Sequence, residues 1–271
     1  MRILRFTVFS LFIVILCFYI FFQFQKQGAD QTYPVITIDE EILSISIDAT
    51  DEDLLKGVTA YDEKDGDISH KIIVESISRF TDPGVSVVVY AVCDGDNHAV
   101  SASRKIVYTD YTPPRFTLSG SLVFGISKNI NIRGLLGAED SIDGDISSKV
   151  IITANEYTSN VAGVNYISAN VTNSKGDMIS IVLPVYIEEQ HLSAPVIELE
   201  HYMLYLKVGD SFDPKANLLS ARDASDENIT ARVQLDTNLN TKEAGIYEVH
   251  YRVADSSDRR GHAILTVIVE E

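Results

Sequence analysis

The side chains best placed to do chemistry are the carboxylates of Asp62, Asp65 and Asp67, set around Gly66 in the segment Ala60-Tyr61-Asp62-Glu63-Lys64-Asp65-Gly66-Asp67-Ile68-Ser69. Clustered carboxylates, with a glycine that lets the loop close, are what a hard cation such as Ca²⁺ asks of a protein. The spacing departs from the EF-hand, which needs acids at alternating positions and a glutamate at the twelfth. The competing reading is a turn in which Asp62 and Asp67 accept backbone N–H bonds and Gly66 takes a positive φ, with no cofactor. The segment returns as Ala138-Glu139-Asp140-Ser141-Ile142-Asp143-Gly144-Asp145-Ile146-Ser147 and as Ala221-Arg222-Asp223-Ala224-Ser225-Asp226-Glu227-Asn228-Ile229-Thr230. The last copy has no glycine and alters any ligand set, as a turn tolerates better than an ion site does. No metal is therefore expected, and Asp62, Asp65 and Asp67 are the only calcium candidates.

No other residues assemble a reaction centre. Asp94 and Asp255 occur at equivalent places and read as caps of a strand, because a general acid needs a partner in a pocket and a matched pKa. The six histidines, at 70, 98, 191, 201, 250 and 262, lack the His-Glu-x-x-His spacing of a zinc protease and read as surface residues. A Gly-x-Ser-x-Gly elbow, a phosphate-binding loop and a Cys-x-x-Cys pair are all absent from the sequence. The chain reads as a non-enzyme. Cys93 is the one cysteine beyond the N-terminal segment, so no disulfide can form within that part, and its register points it outward.

The elements that carry these residues repeat three times. Pro34-Val35-Ile36, Pro114-Arg115-Phe116 and Pro195-Val196-Ile197 open the copies, and Gly84, Gly163 and Gly245 open an alternating run that ends at Asp94, Asn173 and Asp255. Its period is two: Tyr247, Val249, Tyr251 and Val253 form a buried face, and Glu248, His250 and Arg252 a wet one. About seven short strands per copy, separated by Asp, Gly, Pro and Ser, predict β-sandwiches. In the second copy the run reads Gly163-Val164-Asn165-Tyr166-Ile167, so one side exposes apolar groups, and Val164 and Tyr166 are the interface candidates.

Ahead of the repeats, residues 6–25 are uncharged and apolar from 11 to 22, long enough for a hydrocarbon core of about 30 Å. Arg2 and Arg5 precede this run, and acidic residues follow it. The expected arrangement is a cytoplasmic tail over residues 1–5, an uncleaved transmembrane signal anchor over 6–25, and an extracellular remainder. Arg2, Arg5, Lys26 and Asp30 lie in the first thirty residues, which leaves 19 basic against 38 acidic residues beyond them, a net charge of −19. Such a surface repels phosphate backbones, so nucleic acid is not an expected partner.

The proline opening, the Ala-x-Asp-x-x-Asp-Gly-Asp-Ile-Ser block, the Gly-x-Tyr-x-Val-x-Tyr-x-Val-x-Asp strand and the linker Asp110-Tyr111-Thr112-Pro113-Pro114 together resemble the bacterial immunoglobulin-like domain family named after a pesticidal crystal protein. The resemblance implies three tandem immunoglobulin-like β-sandwich domains, at 33–112, 113–190 and 194–271, and an extracellular setting. With the apolar run at 6–25 as one N-terminal transmembrane helix, the expectation is an all-β, membrane-anchored bacterial surface protein that acts as a binding, adhesion or spacer module toward a protein or glycan. The alternative is an accessory scaffold subunit of a cell-envelope enzyme or polysaccharide machine. Short linkers suggest that the domains melt nearly independently.

Overall fold

The computed structural model describes residues 2–27, 32–126, 130–155 and 160–271. Helix α1 (Arg2–Gln27) covers the apolar N-terminal run. Its side chains are described over residues 7–22, all of them exposed. Among the described residues no helix is long and apolar enough to cross a membrane. The place expected to span thus holds a helix without a confirmed crossing.

The chain divides into two compact units, Met1–Thr109 and Asp110–Glu271. Beyond the helix, the first unit is a sandwich of seven strands: β1 (Val35–Ile38), β2 (Ile42–Ile45), β3 (Val58–Asp62), β4 (Gly66–Asp67), β5 (Ile73–Ile77), β6 (Val85–Cys93) and β7 (Ala99–Tyr108). They form sheets ordered β1-β3-β4 and β2-β7-β6-β5, in which only β2 and β7 run parallel. Alternation along β6 buries Val88, Tyr90 and Val92 against Ala60, Ile68 and Ile106.

The second unit holds two more sandwiches. One comprises β8 (Arg115–Leu118), β9 (Val123–Gly125), β10 (Leu136–Asp140), β11 (Gly144–Asp145), β12 (Ile151–Asn155), β13 (Gly163–Thr172) and β14 (Met178–Glu188). Its sheets are ordered β11-β10-β8 and β12-β13-β14-β9. The other comprises β15 (Val196–Leu199), β16 (Met203–Lys207), β17 (Leu218–Arg222), β18 (Gln234–Thr237), β19 (Gly245–Ala254) and β20 (Arg260–Glu270), in sheets β15-β17 and β16-β20-β19-β18. The two-residue strand seen as β4 and β11 is reduced here to one bridge, Arg222↔Asn228. That is where the copy lacks its glycine. Gly66 and Gly144 sit at φ 77° and 68°, whereas in the third copy the positive φ moves to Asp226 at 64°, a residue type that tolerates the left-handed region.

One knot recurs in every sandwich and explains the shared block. Ala60, Ala138 and Ala221 are buried and accept through their carbonyls from the N–H of Ile68, Ile146 and Ile229 at 3.0, 2.9 and 2.8 Å. Their own N–H groups donate to Ser69 Oγ, Ser147 Oγ and Thr230 Oγ1 at 3.0, 3.1 and 2.8 Å. A hydroxyl after the isoleucine satisfies a backbone donor that the sheet edge leaves over.

The sandwiches of the second unit share their interior. Met203 of the third lies in the buried core of the second, with Tyr205 and Ile268 packed against it. Tyr205 Oη donates to the Phe116 carbonyl at 3.1 Å, and burial pushes its phenol up to about 12. Apolar side chains of the third sandwich are thus buried across the seam, a packing that favours coupled unfolding of these two sandwiches over the independent melting expected from short linkers.

Candidate functional site

The acidic turns are built for backbone capture. Asp62 is 1% exposed, and its Oδ1 accepts from the N–H of Lys64 and Asp65 at 2.9 and 2.8 Å. Asp65 Oδ2 accepts from Gly95 N at 2.6 Å, and Asp67 Oδ1 accepts from Ser69 N and Oγ at 2.9 and 2.6 Å. Those Ser69 bonds, the hydroxyl first, hold the Asp67 carboxyl below its ordinary range. Each of the three carboxylates takes its own set of donors, with none shared. Among the described residues no three His, Cys, Asp or Glu side chains gather in a way that can hold a metal ion.

Asp94 and Asp255 do the same at the ends of β6 and β19. Asp94 Oδ1 accepts from Asp96 N and His98 N at 2.9 and 2.7 Å, and Asp255 Oδ1 from Ser257 N and Arg259 N at 2.8 and 3.0 Å. Burial works against both ionised carboxyls, yet hydrogen bonds from the following loop outweigh it and hold them low. Asn173 plays this part in the second sandwich, accepting from Asp177 N at 2.9 Å and donating to Asp140 Oδ2 at 3.1 Å. Cys93, just before Asp94, is exposed as its register predicts.

Val164 and Tyr166 lie on the outside of the second sandwich, 49% and 56% exposed, while Ile167, Ala169 and Val171 turn inward. In the β13–β14 register Tyr166 lies opposite Pro184 and Ser168 opposite Val182, which is itself 52% exposed. These residues make a row of apolar groups on one outer sheet face.

The histidines correct the sequence reading. His250 and His262 are not surface residues: their side chains are 13% and 5% exposed. With Glu248 they occupy the face of β19 and β20 that alternation marks as wet, and the second sandwich covers it. Tyr186 Oη donates to Glu248 Oε2 at 2.8 Å, His262 Nδ1 lies 2.9 Å from Glu188 Oε1, and His250 Nδ1 lies 3.0 Å from His262 Nε2. Hydrogen bonding from His262 holds the Glu188 carboxyl low. Burial opposes the Glu248 carboxylate, but the neighbouring His250 imidazole, at 3.7 Å, and the hydrogen bond from Tyr186 keep it low as well. Burial, then the bond to Glu248, pushes the Tyr186 phenol well above its usual range. Comparing the copies does not reveal this cluster, since no histidine recurs at an aligned position. The available signal was local composition: a glutamate and a histidine alternating on the outer face of β19, with a second histidine early in β20.

Paired sheets with repeated turns, a filled core in each sandwich and no convergent ligand set among the described residues define an array of immunoglobulin-like sandwiches. Residues 200–269 match the family described as "Bacterial surface protein, Ig-like domain", so the third sandwich is a domain of that family and the resemblance seen in the repeats holds. Over 132 residues the chain is 34% identical to the pesticidal crystal protein Cry22Aa of Bacillus thuringiensis, a match covering 47% of this chain and 17% of that protein. Over 138 residues it is 28% identical to an uncharacterized 81.3 kDa protein of Acholeplasma phage L2, covering 49% and 18%. The matched region is less than a fifth of either relative. Among solved structures, the M60 catalytic domain of Clostridium perfringens ZmpB with its CBM51-1 and CBM51-2 domains overlaps 89% of this chain and 31% of its own at 17% identity, with a TM-score of 0.26. Drosophila N-cadherin EC1-4 overlaps 89% and 67% at 12% identity, with a TM-score of 0.23. Overlaps this loose bear on neither binding nor assembly.

Proposed function

We propose that this chain is a membrane-anchored, extracellular bacterial surface protein that binds and positions rather than reacts, held by residues 6–25 and presenting three sandwiches at 33–112, 113–190 and 194–271. The observation that carries the binding role is the outer row on the second sandwich, where Val164, Tyr166 and Val182 stay exposed while Ile167, Ala169, Val171, Leu183 and Val185 on the other face are buried. A tyrosine and two valines on a flat sheet suit a protein segment or the apolar face of a sugar ring. The partner is accordingly a surface protein or glycan, and the reading invokes no cofactor. A scaffold subunit of an envelope enzyme or polysaccharide machine presents the same face to a membrane-bound neighbour.

The test is photo-crosslinking in intact cells from a reactive residue placed at position 164, with and without Tyr166→Ser. The expected result is one dominant adduct that Tyr166→Ser abolishes, while the melting temperature of the purified chain is unchanged. An adduct indifferent to that substitution, or a variant that unfolds, overturns the assignment. Retention of the chain in the membrane pellet after alkaline extraction checks the anchor separately.

A further inference from the structure

The cluster between the second and third sandwiches, buried at its histidines and open at Glu188, whose side chain is 41% exposed, is a chain of proton-sharing contacts. It runs from Glu188 through His262 and His250 to Glu248 and ends at Tyr186. The histidine rings are tilted by 20° with centroids 5.2 Å apart, which with a nitrogen separation of 3.0 Å means that they meet edge to edge, nearly in one plane. A single proton can lie between them. Glu188 Oε1 is an ionised acceptor, so His262 Nδ1 carries a proton toward it. At the other end His250 Nε2 faces Glu248 Oε2 at 3.7 Å, and the second oxygen of that carboxylate, Oε1, is buried without a hydrogen-bond partner.

Counting protons over the four ring nitrogens decides the preferred state. Two neutral imidazoles carry two protons. One is committed to Glu188, and the other either sits between the rings, leaving a lone pair of His250 against Glu248, or sits on His250 Nε2, leaving two lone pairs face to face. Three protons satisfy every contact and place one positive charge between two carboxylates. Four protons set two N–H groups against each other at a separation that allows one.

The remaining charged groups bias where the shared proton sits. Arg252, opposite His262 in the β19–β20 register, can only donate and reaches His250 Nδ1 at 3.4 Å, which favours the shared proton on His262 Nε2 with the Nδ1 lone pair as acceptor, while Asp236 on β18 draws the guanidinium away at 3.2 Å. Tyr186 is held neutral, and Tyr166 lies further out beside it. Next to His262 and Glu188 a cavity of about 670 Å³, lined also by Glu189, Arg232, Asp258 and Arg260, gives protons a route to the pair.

We propose that this cluster is a clasp that closes on one shared proton, so that the second and third sandwiches dock most firmly at intermediate pH and loosen on either side. Other contacts cross the seam without taking part in that proton, among them Ile264 N to Ser121 Oγ at 2.9 Å and the pair formed by Arg115 and Glu270. The clasp therefore tunes docking and does not alone hold it.

Ile264 N–H is a reporter placed on the seam itself. In the full chain in detergent micelles, amide exchange at Ile264, corrected for its intrinsic rate and followed between about pH 5 and 8 where imidazoles titrate, should show greatest protection in the middle. The expected loss on each flank is about fivefold, the weight of one hydrogen bond. The core amide of Ala169 should show no such change. His250→Gln, which supplies one fixed donor and one fixed acceptor, should flatten the profile. ¹⁵N shifts of the ring nitrogens in the unsubstituted protein give a second readout, with three protonated positions of four at the optimum. Flat Ile264 protection, an identical profile in His250→Gln, or two protonated positions at the optimum each overturn the proposal. If His250→Gln does not fold, the ¹⁵N count decides alone.

Discussion

In the first sandwich β6 buries Val88, Tyr90 and Val92, and in the third β19 buries Val249, Tyr251 and Val253 in the same order. Each tyrosine donates from the core to a backbone carbonyl, Tyr90 to Leu54 at 2.6 Å and Tyr251 to Pro214 at 2.7 Å. The partner strands differ. Opposite Val249 stands Leu265, fully buried and apolar, whereas opposite Val88 stands Arg104, 4% exposed. Arg104 donates to Tyr90 Oη at 2.8 Å and to the carbonyls of Leu54 and Lys56 at 2.6 and 2.8 Å. The same place in one fold thus accepts a leucine or a cation, provided that the cation finds acceptors. The two carbonyls come from the short helix Asp51–Leu54 and the residue just after its cap, while the corresponding place in the third sandwich is a 3-10 turn, Pro214–Asn217, whose Pro214 carbonyl takes the Tyr251 hydroxyl. An unpaired buried charge is too costly to keep, so Arg104 depends on the Leu54 and Lys56 carbonyls that face it.

The largest effect should come from emptying the shared hook. Tyr251→Ala is expected to destabilise the third sandwich by about 3–5 kcal/mol, the range for truncating a buried aromatic. Tyr90→Ala should cost at least as much, because Arg104 then loses an acceptor as well. Calorimetry on the two variants checks this, and a markedly smaller cost for Tyr90→Ala would show that Arg104 does not depend on the tyrosine.

A smaller change, Arg104→Leu, installs the third sandwich's solution in the first. It leaves the Lys56 carbonyl without its buried donor and should lower stability by about 1–3 kcal/mol in chemical denaturation. A gain in stability instead would mean that packing outweighs the arginine's three hydrogen bonds, and that the two sandwiches are interchangeable at this site.

The smallest effect concerns the caps. Asp94→Asn copies Asn173 and keeps the acceptor for Asp96 and His98 but loses the charge, so it should be slightly less stable than the parent at pH 7. The Asp94 carboxyl is held low in the folded state, so its contribution is present above the unfolded value of about 3.9 and lost as pH falls through the folded one. Acid titrations of the two proteins should therefore converge below that value. A variant that stays equally far from the parent across the whole range would assign the Asp94 effect to shape and not to charge.

Much of this was legible because it is local. The inward set on β6 and β19, the turn at Gly66 and the caps at Asp94 and Asp255 follow from a period of two and from side chains that reach backbone donors within four residues. Arg104 was not legible: its own strand alternates normally, and the acceptors that make it tolerable lie 48 and 50 residues away. The outer face of β19 misled for a related reason. Glu248 and His250 have the polarity of a wet face, and polarity alone does not tell whether the cover is water or another domain.

The sequence by itself determined the number of repeats, the sandwich class, the turn positions and the absence of any catalytic motif, since each is written in spacing along a single strand or loop. Only the tertiary structure decided which polar residues are buried. It set Tyr186 and Glu188 of one sandwich against Glu248, His250 and His262 of the next, and gave Arg104 its carbonyls. Those pairings depend on where distant backbone segments come to lie, and hydrogen-bond partners chosen through space leave no period in the chain.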